Sequence, residues 1–339
     1  MTKSLDKAPA SPALDGDSLV IASPETLSEA CFSIPAVRAL QAAYPKMTLS
    51  VVANTTTASL WRALGTIEEV ITYSPGDSSR RIARALSASG LSFDCAIAWE
   101  DSPAARSLAK ARIAQRLGYP NGKLGKLLSH PVEIKRMAAP IEHRVRDYLL
   151  FSRELGASPF EPANFVHPER PPAANPTRVV LAPGSDFGAA AEWPLERFLE
   201  VARALSEGHE LAVLPSPDRP EPAHSLAKLL DLPVTEFEGD DLLALLASSR
   251  ALVANDGSLP HLASFVGTPS VVIFGPNHPD WQRPLGTIHR IVHEHVACSG
   301  CLLHKCPLDH RCMNDLPVRR ILAAFHDLPL PAAEEKPSS

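Results

Sequence analysis

Short apolar runs alternate with stretches of helical periodicity along most of the chain. In the first half the pattern predicts strands at 18–22, 49–53, 69–73 and 94–99, with helices over 32–43, 57–64, 80–88 and 143–155. In the second half it predicts strands at 178–182, 210–214, 234–237, 251–254 and 270–274, with helices over 195–206, 225–230, 241–248, 260–266 and 318–325. Two such β-α series predict an α/β protein with two parallel, doubly wound sheets.

A proline-rich stretch without periodicity, residues 159–176, separates the two series and is the best linker candidate. The predicted domains are therefore 18–158 and 177–329, and the polar ends 1–17 and 330–339 are predicted to be disordered tails. Ligands of doubly wound sheets bind outside the carboxyl ends of the strands. Two such sheets facing a cleft would suit a two-substrate transfer.

Composition narrows the class of protein. The 339 residues are 45% apolar and carry a net charge of −5, which fits a globular protein with real cores and argues against nucleic-acid binding. No apolar run reaches the length of a membrane-spanning helix, and the first 17 residues lack the apolar core of a signal peptide. We therefore expect the protein in a reducing cytoplasm.

Two loops in the second half carry candidate chemistry. Pro183-Gly184-Ser185-Asp186-Phe187-Gly188 and Asn255-Asp256-Gly257-Ser258-Leu259-Pro260-His261 each follow a predicted strand and lead into a helix. Glycines let the backbone approach an anion, and a helix start offers free N–H groups and a positive dipole end. The alternatives are a plain β-α turn for the first loop and a Ser258 helix cap in the second. The candidate donor-site residues are Gly184, Ser185, Asp186, Asp256, Gly257, Ser258 and His261.

These segments resemble glycosyltransferase family nine, the ADP-heptose–lipopolysaccharide heptosyltransferases. The resemblance lies in PAVRAL at Pro35–Leu40, in Pro183–Phe198, Asn255–Ala263 and Gly267–Asp280, and in the cysteine-rich Cys298–Met313. It implies a GT-B fold, in which two Rossmann-like domains face a cleft. It also implies transfer of heptose from an ADP-linked donor, with inversion, to an anionic sugar acceptor on a lipid. The second half would then hold ADP, and the first domain would handle the acceptor.

The sequence departs from the family pattern at two positions. The family's usual base, an Asp six residues before the helix proline, corresponds to Glu29 here. Glu29 can still act as a general base, with Glu25 as a nearby substitute, or can be a solvated loop carboxylate. A family Lys that faces the donor phosphates corresponds to Ala191, for which Arg283 is a conceivable replacement or a plain surface residue.

Residues 110–146 form a basic segment, with nine Lys and Arg against two Glu. An anionic partner explains this asymmetry, whether acidic sugars, lipid phosphates or a membrane surface, and a basic solvent face is the alternative. We therefore expect peripheral, reversible membrane contact. The candidate acceptor-binding residues are Arg112, Arg116, Lys123 and Lys126.

Four cysteines, Cys298, Cys301, Cys306 and Cys312, are spaced C-x2-C-x4-C-x5-C. They are candidates for a structural zinc site, with free thiols, two disulfides or an iron–sulfur cluster as alternatives. In each case the segment would be pinned between the last strand and the last helix.

The leading hypothesis is an inverting glycosyltransferase. Its donor would be ADP-heptose, its acceptor a lipopolysaccharide inner-core-like saccharide, its base Glu29, and it would need no catalytic metal. One alternative is a degenerate member that binds nucleotide or saccharide without turnover. Another, a nucleotide-sugar epimerase, lacks the Pro183–Ser185 and cysteine segments as they stand here.

Overall fold

A computed structural model describes residues 13–134, 141–167, 175–236 and 238–330. The chain divides into two compact units. The first comprises 13–25, 32–134 and 145–164, and the second comprises 26–31, 141–144 and the described residues from 165 onward. The predicted parts that fall on 1–12, 168–174 and 331–339, and the basic Lys135 and Arg136, lie outside the described residues.

The first unit holds a six-stranded parallel sheet. Its strands are β1 (Ser18–Ala22), β2 (Thr48–Asn54), β3 (Glu69–Tyr73), β4 (Cys95–Ala98), β5 (Gln115–Gly118) and β6 (His130–Pro131), in the order β3-β2-β1-β4-β5-β6. Its helices are α1 (Leu27–Ala43), whose first turns count with the second unit, α2 (Ala58–Arg62), α3 (Ser79–Ala88), α4 (Pro103–Lys110) and α5 (Val145–Glu154). Apolar residues of the strands and of α3 and α4 form its core.

The second unit holds a five-stranded parallel sheet. Its strands are β7 (Asn175–Ala182), β8 (Glu210–Val213), β9 (Ser249–Asn255), β10 (Ser270–Phe274) and β11 (His289–His293), in the order β11-β10-β9-β7-β8. Its helices are α6 (Leu195–Ser206), α7 (Glu221–Leu230), α8 (Gly239–Ser248), α9 (Ser258–Phe265), α10 (Pro279–Gln282), α11 (Arg311–Asn314) and α12 (Val318–His326). Both sheets are doubly wound, so the predicted fold class is confirmed.

Strand order fixes where a ligand would bind in the second unit. From β7 the chain moves outward to β8, and then returns to β9 on the other side of β7. Ala182 at the end of β7 pairs with Ala254 near the end of β9. The loops after these two strands therefore flank the switch point of the sheet, where doubly wound folds bind their ligands.

Several predicted boundaries were wrong. Residues 13–17 are not a free tail, because Leu14 is buried and Asp15 and Asp17 hydrogen-bond to Gln115 and Asp94. The linker predicted at 159–176 contains a 3-10 turn, Pro162–Phe165, and its last two residues begin β7. The strand predicted at 234–237 is reduced to one bridge between Val213 and Val234, and residue 237 lies outside the described residues.

Candidate functional site

The loop after β7 approaches its neighbours too closely for side chains at two positions. A Cβ atom on Gly184 would clash with the carbonyl oxygen of Arg219, and one on Gly188 would lie 2.9 Å from that of His304. Gly188 also has φ of +128°, a conformation that favours glycine. The glycines of this loop therefore serve close backbone packing against the loop after β8 and the cysteine-rich segment.

Ser185 and Asn255 tie the two loops together. The buried Ser185 hydroxyl donates a hydrogen bond of 2.5 Å to the carbonyl oxygen of Asp256. The Asn255 side chain donates to the Pro183 carbonyl and accepts from the Trp193 N–H. The loops thus form one hydrogen-bonded unit. The Asn255 link was not predicted, because its partners are 72 and 62 residues away in sequence.

Asp186 occupies the start of α9. Its Oδ1 accepts from the Ser258 backbone N–H at 3.0 Å, and its Oδ2 accepts from the Ser258 hydroxyl. Ser258 is the first residue of α9 and not the cap that the sequence suggested, since Gly257 holds that place. Burial raises the pKa of Asp186, while the hydrogen bonds from Ser258 lower it. The Asp186 carboxylate therefore accepts the first N–H group of α9.

Asp256 is the second acidic residue of these loops, and it is buried, with 1% of its surface exposed. Its Oδ2 accepts hydrogen bonds from Asn277 at 2.5 Å and from Gln282 at 2.9 Å. Burial raises its pKa to about 7, against the opposing effect of these two donors. Asp256 thus links the loop after β9 to the segment that contains α10.

His261 lies in α9 and is 3% exposed. Burial, together with the smaller effects of the nearby His143, His289 and Arg144, lowers its pKa to about 3. The imidazole is therefore neutral near pH 7. It can form hydrogen bonds to a ligand, but it brings no positive charge to the site.

Glu29 lies in the first turn of α1 and forms an ion pair with Arg144. The Arg144 guanidinium lies 5.0 Å from the ring centre of Trp281, and the Arg144 N–H donates to the Trp281 carbonyl. All three residues belong to the second unit. Glu25, the substitute base, belongs to the first unit, where its N–H donates to Glu100.

The position that corresponds to the family's lysine is buried. Ala191 ends the 3-10 turn Ala189–Ala191 and is fully buried. Arg283, the conceivable replacement, is exposed, and its carbonyl accepts from His143 at 2.7 Å. Neither observation gives Arg283 a role in charge neutralisation.

A cavity of about 480 Å³ opens beside the Pro183 loop. Its lining includes Pro183, Trp193 and the Arg219–Glu192 pair, which is joined by two hydrogen bonds of 2.9 and 3.1 Å. This volume is within the range of small-molecule sites. The cavity adjoins the switch point of the sheet.

The cysteine-rich segment packs on the Pro183 loop. His304 accepts the Ala190 N–H with its carbonyl, hydrogen-bonds the Phe187 carbonyl with Nδ1, and stacks on the Phe187 ring at 4.4 Å. His310 Nε2 hydrogen-bonds the Ala190 carbonyl at 2.7 Å. The segment thereby fixes the shape of residues 187–190.

The four cysteines line one cavity of about 20 Å³, roughly the size of one water molecule, and all are free thiols. Burial, together with the smaller effects of the other three cysteines, raises the pKa of Cys312 to about 11. Across the described ranges, no group of three or more His, Cys, Asp or Glu side chains is arranged to hold a metal ion. The zinc site therefore stays a prediction.

The predicted acceptor-binding residues lie before, within and after β5. Arg112 precedes β5, whereas Lys123 and Lys126 follow it around the 3-10 turn Leu124–Lys126. The Arg116 guanidinium donates to the carbonyls of Ile113 and Leu127. Among the described helices, none combines the length and apolarity that crossing a bilayer requires.

The chain is similar in sequence to curated heptosyltransferases. A 161-residue segment is 26% identical to lipopolysaccharide heptosyltransferase 2 of Salmonella typhimurium, covering 44% of this chain and 45% of that protein. The chain thus spans about half the length of the curated relatives it matches.

Solved structures share the fold along nearly the whole chain. The ADP-heptose lps heptosyltransferase II of E. coli has a TM-score of 0.72 at 22% identity, covering 91% of this chain and 97% of that one. E. coli heptosyltransferase WaaC, solved with ADP, has a TM-score of 0.67 at 18% identity, covering 91% and 99%. These likenesses show the GT-B fold. The sequence model of glycosyltransferase family 9 (heptosyltransferase) matches residues 80–311, about two thirds of the chain, and the chain therefore belongs to this family.

Proposed function

We propose that the protein is an inverting glycosyltransferase that transfers heptose from ADP-heptose to an inner-core-like saccharide of lipopolysaccharide. The observation that carries this proposal is the hydrogen-bonded unit of two loops at the switch point of the second sheet. Membership of the heptosyltransferase family supports the reaction class. E. coli heptosyltransferase WaaC, which shares the fold, was solved with ADP and with ADP-2-deoxy-2-fluoro heptose, which supports the donor.

In this proposal the donor's diphosphate lies at the two loops and its nucleoside enters the cavity beside Pro183. The backbone N–H groups of the two loops face the diphosphate, because the start of α9 is already occupied by the Asp186 carboxylate. The neutral imidazole of His261 and the carboxylate of Asp256 orient the donor through hydrogen bonds. Such a site needs no catalytic metal ion, because charge-assisted and dipolar contacts can stabilise the leaving group.

Glu29 is the proposed general base. Its carboxylate takes the proton of the acceptor hydroxyl while the hydroxyl oxygen bonds to the anomeric carbon of the donor. The bond between that carbon and the diphosphate breaks, and its electron pair leaves with ADP. Attack opposite the leaving group inverts the anomeric centre. Lys123 and Lys126, exposed beyond β5, are proposed contacts for an anionic acceptor, and reversible membrane contact would follow from the same charges.

The Glu29→Gln variant tests the base. We expect transfer to be lost while ADP affinity, measured by calorimetry, stays at the wild-type value. Glu25→Gln is the matched control, because Glu25 is the other carboxylate between the end of β1 and Pro35. Unchanged turnover in Glu29→Gln would remove Glu29 from the mechanism. Loss of transfer in Glu25→Gln alone would assign the general base to Glu25. A thermal-shift screen of ADP-, UDP- and GDP-sugars tests the donor, and we expect a selective shift with ADP-sugars.

A chain that binds nucleotide without turnover is the second candidate. The observation that favours it is the charge of the loops, where Asp256 is buried, Asp186 is half-buried and Ala191 leaves no cation. Calorimetry with ADP and a turnover assay on the same sample separate the two candidates. Binding without transfer to any acceptor would support the second.

A further inference from the structure

The two loops are poor in positive charge. Residues 183–191 and 255–261 contain no Lys or Arg, and they carry the half-buried carboxyl group of Asp186 and the buried carboxyl group of Asp256. His261 is neutral near pH 7 because burial lowers its pKa to about 3. A diphosphate that leaves from this site would gain charge beside two acidic residues. Its stabilisation therefore requires a cation from another segment.

Arg144 is held in place to supply this cation. Its backbone N–H donates to the Trp281 carbonyl at 2.9 Å, and its guanidinium lies over the Trp281 ring at 5.0 Å. A planar guanidinium stacks well on an indole face. The preceding His143 hydrogen-bonds the Arg283 carbonyl, which fixes the backbone at a second point.

The same short helix connects Arg144 to the donor loops. Gln282, the neighbour of Trp281 in α10, donates to Asp256 Oδ2 at 2.9 Å. Arg144 is also among the charges that lower the pKa of His261. One rigid turn therefore holds both the buried Asp256 and the ring that supports Arg144.

The Arg144 guanidinium also contacts Glu29, through its Nη2 atom. The two side chains form an ion pair in which Arg144 remains 37% exposed and Glu29 13% exposed. A guanidinium has five N–H donors, so an ion pair with one carboxylate leaves others for a ligand. The exposed part of Arg144 can therefore contact a bound donor while the pair persists.

We propose that Arg144 is the cation of the transfer site, orienting the Glu29 carboxylate and binding an anionic oxygen of the donor's diphosphate. This inference rests on the proposed function. During transfer the proton moves from the acceptor hydroxyl to Glu29, and the electron pair of the broken carbon–oxygen bond moves to the diphosphate beside Arg144. Trp281 is a positioning residue, because it touches the guanidinium and not the donor.

The Arg144→Gln variant tests the proposal in two ways. We expect kcat to fall about 10²–10³-fold, because a charge-stabilising contact of the transition state is removed. We expect affinity for ADP, measured by calorimetry, to fall about tenfold, and its dependence on salt to weaken. Arg144→Lys should retain part of the kcat and part of the ADP affinity, because lysine keeps the positive charge but lacks the planar guanidinium group. Arg153→Gln is the matched control, since Arg153 is exposed and pairs with its neighbour Glu154.

Chemical rescue distinguishes a charge from a structural role. Millimolar guanidinium should restore part of the activity of Arg144→Ala, and it should leave the activity of Trp281→Leu unchanged. Wild-type kcat and ADP affinity in Arg144→Gln would overturn the proposal. If the wild type binds ADP without transfer, the proposed function fails, and ADP affinity alone decides the role of Arg144. A wild type that does not bind ADP would overturn both.

Discussion

Asn255 Nδ2 donates a hydrogen bond of 2.6 Å to the carbonyl oxygen of Pro183. This bond and the acceptance of the Trp193 N–H by Asn255 Oδ1 use both ends of one amide, at a position that is 1% exposed. A residue with a donor and an acceptor at the same place is needed here, and few side chains qualify. The pairing of the two loops therefore depends on an amide that contacts no ligand in the proposed mechanism.

The Asn255→Asp variant should loosen this pairing. The new oxygen would face the Pro183 carbonyl without a proton between them, in a site that already holds the buried Asp256 and the half-buried Asp186. We expect the free energy of unfolding to fall by about 2–3 kcal/mol, and ADP affinity to fall with it. Urea unfolding and calorimetry measure both. Asn121→Asp, on an exposed loop, should change neither, and equal stability of the two variants would contradict the prediction.

Gly257 is required by the position of Asp186. A Cβ atom at Gly257 would lie inside contact distance of Asp186 Oδ1, although its extended backbone suits any residue. Gly257→Ala should therefore push the carboxylate away from Ser258, at a cost of about 1–3 kcal/mol, and weaken ADP binding. Gly208→Ala is the control, because nothing lies within 4 Å of a Cβ there. Thermal unfolding of the two variants should differ, and identical melting temperatures would show that the loop adapts.

Much of this site was predictable because strand, loop and helix follow one another in sequence. Helix α6 was predicted at its observed bounds, Leu195–Ser206, since its apolar residues repeat at helical spacing. The adjacency of the two loops followed from the parallel sheet, in which carboxyl ends meet at one edge. These properties are local or follow from topology, so one sequence suffices to predict them.

The features that the sequence did not predict depend on contacts between residues far apart in the chain. Strand β11 has the sequence HRIVH, whose polar residues gave no strand signal. Its place at the sheet edge comes from pairing with β10. The Arg144 and Glu29 pair joins residues that are 115 positions apart, and only the fold brings them together. The positive charge of residues 110–146 predicted that Arg116 contacts an anionic acceptor, but it could not predict that the Arg116 guanidinium donates to the carbonyls of Ile113 and Leu127.

The carboxyl group of Asp256 should make stability depend on pH. Its pKa is raised to about 7 in the folded protein from an ordinary value of 3.8, so the folded state holds this proton more tightly than the unfolded state. Its contribution to stability is therefore complete below about pH 3.8 and is lost as the pH rises through about 7.

The Asp256→Asn variant cannot ionise at this position. Its free energy of unfolding relative to wild type should rise between pH 4 and pH 7, by up to a few kcal/mol, roughly 1–4. His261, whose pKa is lowered to about 3, destabilises both proteins as the pH falls below 6.5, so the difference between them isolates Asp256. Urea titrations at several pH values measure the effect. A difference that stays constant over this range would show that Asp256 ionises normally.

The zinc prediction concerns the segment that fixes the Pro183 loop. Cys298, Cys301, Cys306 and Cys312 share one cavity of about 20 Å³, and a bound ion would have to draw the exposed Cys298 and Cys301 inward to complete a tetrahedral set. Elemental analysis of protein purified without chelator should then find one zinc per chain. Cys301→Ser and Cys312→Ser should lose it, whereas Cys31→Ser, at a separate buried site, should keep it.

Loss of zinc should also affect the donor site, because His304 and His310 connect the cysteine-rich segment to it. These residues hydrogen-bond the carbonyls of Phe187 and Ala190, so a loosened segment would free the loop that approaches the donor. We expect chelation to lower both the melting temperature and ADP affinity, and His304→Ala to lower ADP affinity with the zinc retained. A metal-free preparation with full ADP affinity and an unchanged melting temperature would contradict the zinc prediction. The hydrogen bonds of His304 and His310 would then suffice to hold the loop.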